Sequence, residues 1–150
     1  MGFFSSTKKV IVPDAVFGPL RYRSSKDPSK GYFTGKGFFP PTCSDTDLLI
    51  QADASGPTES QRAFYQNLQT NFDKFANKMK RLIEDEFRNW QPDFEISDFR
   101  KEFTLVCISI PRLDAAPVRW ELAFNTIHDR NHLVTIDFVG DEPQGILIDG

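Results

Sequence analysis

From Thr58 to Trp90 the apolar residues fall at steps of three and four: Phe64, Tyr65, Leu68, Phe72, Phe75, Ala76, Met79, Leu82, Ile83, Phe87 and Trp90. That spacing is one stripe of a 3.6-residue period and predicts an amphipathic helix. Thr58-Glu59-Ser60-Gln61 has the form of a capping box at its start, and Pro92 stops it, because the ring cannot continue the ladder. Unbroken, such a segment would run about 45 Å, whereas a strand of eight residues spans only about 27 Å. The helix must therefore either break or overhang its sheet. Asn67, Gln69, Thr70 and Asn71 are the weakest stretch. An overhanging end would expose aromatics and would want a partner.

Two-residue alternation flanks this segment on both sides. Before it, strand patterns run through Val16–Arg23, Gly31–Phe39 and Asp47–Ala52. Gly35 and Gly37 inside the second pattern point to a bulge or to a close approach of another backbone. After it, Glu102–Ile110 is almost continuously apolar, as a central strand is. Val118–Phe124 and Leu133–Val139 alternate about a hairpin turn, and Ile146–Ile148 is a last short run. The fold expected from these patterns is α+β: an antiparallel twisted sheet of six to seven strands with one long helix packed across one face, in the order β-β-β-α-β-β-β. Residues 1–14 read as a flexible start or an edge strand, and 15–150 as a single domain. The sheet face that the helix leaves uncovered is where function is expected.

Fifteen Phe against three Tyr and two Trp make the core heavily aromatic. Eighteen basic and twenty-one acidic residues, a net charge of −3, argue against a nucleic-acid binder, which carries a basic excess. Cys43 and Cys107 demand no disulfide; Cys107 sits in an apolar strand pattern and reads as a small buried hydrophobe. No signal peptide or apolar span of bilayer length is present in the sequence, so a cytoplasmic protein with no membrane attachment is expected.

Candidate chemistry is sparse. His128-Asp129-Arg130-Asn131-His132 holds both histidines. A metal site there would need a third ligand such as Asp137 or Asp141, and the segment otherwise reads as a polar turn. A metal-dependent hydrolase centred on His128 and His132 is one alternative function. Lys30–Phe39 mixes aromatics, lysines and glycines and gives a second alternative, nucleic-acid binding, although the RNA-binding aromatic register is not met. The serines lack a nucleophile-elbow context. No catalytic set converges and no cofactor is expected. Glu84-Asp85-Glu86 lies near a helix C-terminus, where negative charge is disfavoured, and is a candidate acidic face for a basic partner.

Phe17-Gly18-x-Leu20-x-Tyr22, Gly31-Tyr32-x-x-Gly35, Phe103-Thr104-Leu105, Trp120-Glu121-Leu122, Asp129-x-x-His132 and the closing Ile148-Asp149-Gly150 follow one another in an order that resembles a group of uncharacterised small bacterial α+β domains. Some of that group are suspected immunity proteins of polymorphic toxin systems. Where this chain has Leu133, those sequences more often carry glycine. The resemblance implies no catalytic residues. The expected function is thus a non-enzymatic protein-binding domain, of immunity-like or accessory kind, with Phe64, Tyr65, Phe87, Trp90, Glu84 and Asp85 as candidate partner contacts and a homodimer as one form of partnership.

Overall fold

The structure is a computed structural model and describes residues 11–149. Eight strands form one sheet in sequential order: β1 (Ile11–Asp14), β2 (Gly18–Arg23), β3 (Tyr32–Phe39), β4 (Ser44–Gln51), β5 (Phe103–Ile110), β6 (Arg119–Thr126), β7 (Asp129–Val139) and β8 (Glu142–Asp149). Ile11–Asp14 takes the edge-strand alternative, while residues 1–10 lie outside the described ones. Neighbours pair antiparallel except β4 and β5, which run parallel, with Asp47 opposite Cys107 and Ile50 opposite Ile110. Three helices fill the crossover between them: α1 (Glu59–Thr70), α2 (Phe72–Phe87) and α3 (Phe99–Glu102).

This corrects the expected fold. The sheet is mixed and has eight strands, and no single long helix packs across it. The chain leaves the helical region at Asn71, whose backbone (φ −109°, ψ 27°) interrupts the ladder. The Asn71 amide donates to the Asn67 side chain at 2.6 Å, and its carbonyl accepts from Lys74 three residues on. Asparagine competes with the helix in this way wherever its side chain finds a local partner. The mixed topology follows from connection length. Tight loops of a few residues impose antiparallel pairing, and only the long helical crossover can return a strand parallel.

The break lets both halves of the stripe stay on the sheet. Tyr65 lies between Phe17 (5.1 Å between ring centroids) and Phe39 (6.3 Å), Phe72 meets Phe39 and Phe99, and Phe75 meets Trp120 and Phe138. Inward residues of every strand from β2 to β7 join this core, including Leu20, Phe33, Ile50, Leu105, Leu122 and Ile136. The start of α1 is the expected capping box. Gln61, fully buried, also donates from its amide to the carbonyls of Gln51 (2.8 Å) and Pro111 (3.0 Å), tying the helix start to the ends of β4 and β5. Asp14 accepts the Val16 and Phe17 N–H groups and pairs with Arg62, which anchors the β1–β2 turn to α1. Gly35 is the close approach that the sequence predicts: a methyl there would lie 2.7 Å from the Leu20 side chain and 2.9 Å from the Pro19 carbonyl.

Candidate functional site

Helices cover one face of the sheet. On the other, outward-pointing residues stand in register rows. One row crosses all eight strands: Ile11, Arg21, Thr34, Leu49, Ser109, Glu121, Asp137 and Gly145. The next begins at Lys36 and continues through Asp47, Cys107, Ala123 and Thr135 to Leu147. Four large apolar side chains are exposed on this face: Phe38 (59%), Leu147 (55%), Ile11 (54%) and Leu133 (37%). Cys107, expected to be buried, is half-buried here in its free form.

The β5–β8 part of this face holds a depression of about 610 Å³. Leu49, Val139 and Pro111 give it apolar walls, and Gln51, Ser109, Arg119 and Gln144 supply polar atoms. At its floor Glu121 and Asp137 are directly opposite across β6 and β7. Gly145 completes the row with no side chain; a methyl on it would come 3.5 Å from the Asp137 carboxylate oxygen. Burial, a hydrogen bond with the Asp137 carboxyl and that group's charge push the Glu121 carboxyl above the usual carboxylate range. Glu121 therefore holds its proton more readily than an isolated carboxylate would. Neither takes part in an ion pair among the described residues. Such a pair gains from an incoming cation, which relieves its repulsion.

Charge is unevenly spread over the face. β2 and β3 present Arg21, Arg23 and Lys36 with no acid, and Lys36 reaches Asp47 of β4 at 3.7 Å. β6–β8 carry Glu121, Asp129, Asp137, Glu142 and Asp149 against Arg119 and Arg130. The aromatic and basic positions read from Lys30–Phe39 divide between faces: Tyr32, Thr34, Lys36 and Phe38 point outward, and Phe33 and Phe39 are buried.

The structure places the other candidates elsewhere. His128 sits in the β6–β7 turn with Nε2 2.6 Å from Glu102, edge-on to Phe94. Glu102 also accepts the Ser97 and Asp98 N–H groups. Although burial works the other way, these bonds and His128 hold its carboxyl below the usual range. His132 is held by Asp129 at 2.8 Å. Asp137 lies five residues along β7 from His132, about 17 Å by strand geometry. The three candidates are not brought together, and among the described residues no group of three His, Cys, Asp or Glu side chains is placed to hold a metal ion. Phe64 packs edge-on against Trp120, Tyr65 and Phe87 are buried, and Glu84 accepts the Ile96 N–H. Only Trp90, half exposed against Phe87, and Asp85, beside Arg88, face outward from that set. Phe64, Tyr65 and Phe87 thus pack into the fold, and Trp90 is the aromatic of that set left exposed, just past the end of α2.

Sequence reading missed Glu121, the member of the pair with the altered acidity. Its only signal is the polar position in an alternating strand. No helix among the described residues is long and apolar enough to cross a membrane. No family model, curated protein or solved structure matches the chain.

Proposed function

We propose that this chain is a non-enzymatic protein-binding domain that docks its partner on the uncovered sheet face. The observation that carries the reading is the combination, on that one face, of exposed Phe38, Leu147, Ile11 and Leu133 with a depression floored by an unneutralised carboxyl pair. Exposed apolar residues set among polar ones are the composition of an interaction surface. Toxin neutralisation, which the sequence resemblance implies, is a form of the same reading and adds no residue to it.

A photo-reactive residue at Leu147, on the open face, is compared with one at Lys74, on the solvent side of α2, in the cells that express the protein. Covalent adducts from Leu147 and none from Lys74 are expected. Adducts from Lys74 alone, or from neither, overturn the reading.

A further inference from the structure

The face is self-complementary. A two-fold axis parallel to the strands and passing between β4 and β5 turns the sheet over onto a copy of itself. It keeps each register row in line and exchanges β1 with β8, β2 with β7 and β3 with β6. In the row that crosses all eight strands, Arg21 then stands over the partner's Asp137, and Thr34 over the partner's Glu121. Exposed Ile11 stands over the partner's Gly145, where no side chain occupies the surface. One row away, Tyr32 stands over the partner's Arg119, the partnership of an aromatic face with a guanidinium. Every one of these contacts occurs twice, as an isologous interface requires.

We propose that the occupant of the open face is a second copy of this chain, packed face to face so that Arg21 of one protomer enters the depression against the partner's Glu121 and Asp137. This rests on the reading of that face as a docking surface and names its partner. The basic β2–β3 part meets the acidic β6–β8 part in both directions, and Arg21 is free of any ion pair among the described residues. The area suffices. Eight strands of up to eight or more residues offer on the order of 900 Å² by strand spacing and rise, against roughly 800 Å² per partner in a stable interface. Two sheets packed face to face lie about 10 Å apart with strands nearly aligned, a gap that an arginine side chain fills.

Sedimentation velocity over a range of concentrations tests the proposal on the full chain. The wild type is expected to dimerise. Arg21→Glu makes the facing surfaces acidic and Asp137→Arg makes them basic. Each should weaken the dimer roughly a hundredfold, about tenfold for each of the two symmetry-related contacts. Mixing the two variants should restore a dimer, a result that a misfolded variant could not give. Leu147→Glu, which places a charge in the apolar part of the same face, should also yield monomer. A wild type that is monomeric throughout the range, or variants that dimerise as the wild type does, overturns the proposal. The Leu147 photo-adducts separate this failure from that of the wider reading: adducts to another protein from a monomeric chain refute the dimer and keep the docking face, and the absence of any Leu147 adduct refutes both.

Discussion

Replacing Asp137 by Asn should make the protein more stable at neutral pH and leave it unchanged in acid. The substitution removes one of two carboxyl groups that face each other across β6 and β7. Two unit charges about 4 Å apart repel by about 1 kcal/mol in water and about 4 kcal/mol at an effective dielectric constant of 20. Glu121 is exposed, so the lower figure applies, and it agrees with the usual cost of like charges on directly opposed strand positions. The expected gain is about 1 kcal/mol, a rise of roughly 2–4 °C in Tm for a chain of this size. Its pH dependence follows from the raised pKa of Glu121. The folded state holds a proton that the unfolded state releases, so stability of the wild type falls as pH rises from the ordinary carboxylate range through the raised value. Below that range Glu121 is protonated in either state, the like-charge repulsion is gone, and the substitution gains nothing. Urea unfolding at pH about 2.5, below the ordinary carboxylate range, and at about 8, in protein dilute enough that association adds no stability, checks both points. A gain of equal size at both pH values, or no gain at the higher one, refutes the account of like-charge repulsion at Glu121. If the dimer is correct, the same variant associates more weakly while it folds more tightly, the mark of a residue kept for binding at the expense of stability.

Gln61→Ala should cost about 1–2 kcal/mol in urea unfolding, because it removes half of a capping box and the donor to the part-buried Gln51 and Pro111 carbonyls. Glu102→Gln should cost about 2 kcal/mol near neutral pH through weakened bonds from Ser97, Asp98 and His128. The lowered pKa of Glu102 makes that stabilisation complete above the ordinary carboxylate range and fading as pH falls through the lowered value, so wild type and variant should converge in acid. Gly35→Ala should destabilise by about 1–3 kcal/mol by thermal melting, because the methyl meets a backbone carbonyl at 2.9 Å. Gly37→Ala, whose methyl meets only ordinary contacts at 3.5 Å or more, should cost markedly less.

Most strands were legible because one sheet face is buried and the other is not, which imposes a clean two-residue alternation on β6 and on β7 after its first turn of chain. The start of α1 was legible for an equally local reason, the capping box within four residues. The break at Asn71 was visible only as a weak stretch. Its exact place depends on where Tyr65 and Phe72 each find Phe39, a contact between residues far apart in sequence. The parallel pairing of β4 with β5 left only one local trace, the almost continuous apolar run of β5, which marks a central strand and not its direction. The direction is decided by how 51 intervening residues, from Ala52 to Glu102, return the chain.

The candidate site was illegible for a sharper reason. Glu121 and Asp137 are sixteen positions apart, and only strand register brings them together. At the turn Thr126 pairs with Asp129, and that pairing continued evenly would set Glu121 opposite Val134. An irregularity between Phe124 and Thr126 moves the register by three residues, so that Phe124 meets Val134 and Glu121 meets Asp137. An odd shift transfers every outward residue of one strand to the inward side of its neighbour's pattern. Here it places Leu122, Phe124, Val134 and Ile136 all in the core. The burial of those four side chains therefore selects the register, and the selected register forces two acids into one depression. The acid pair is a by-product of core packing unless something occupies it, because Asn or Gln at either position would satisfy the same strand at lower electrostatic cost. The presence of both carboxyls is what a cationic partner group such as Arg21 explains, and a stability gain in Asp137→Asn without any loss of binding would remove that explanation.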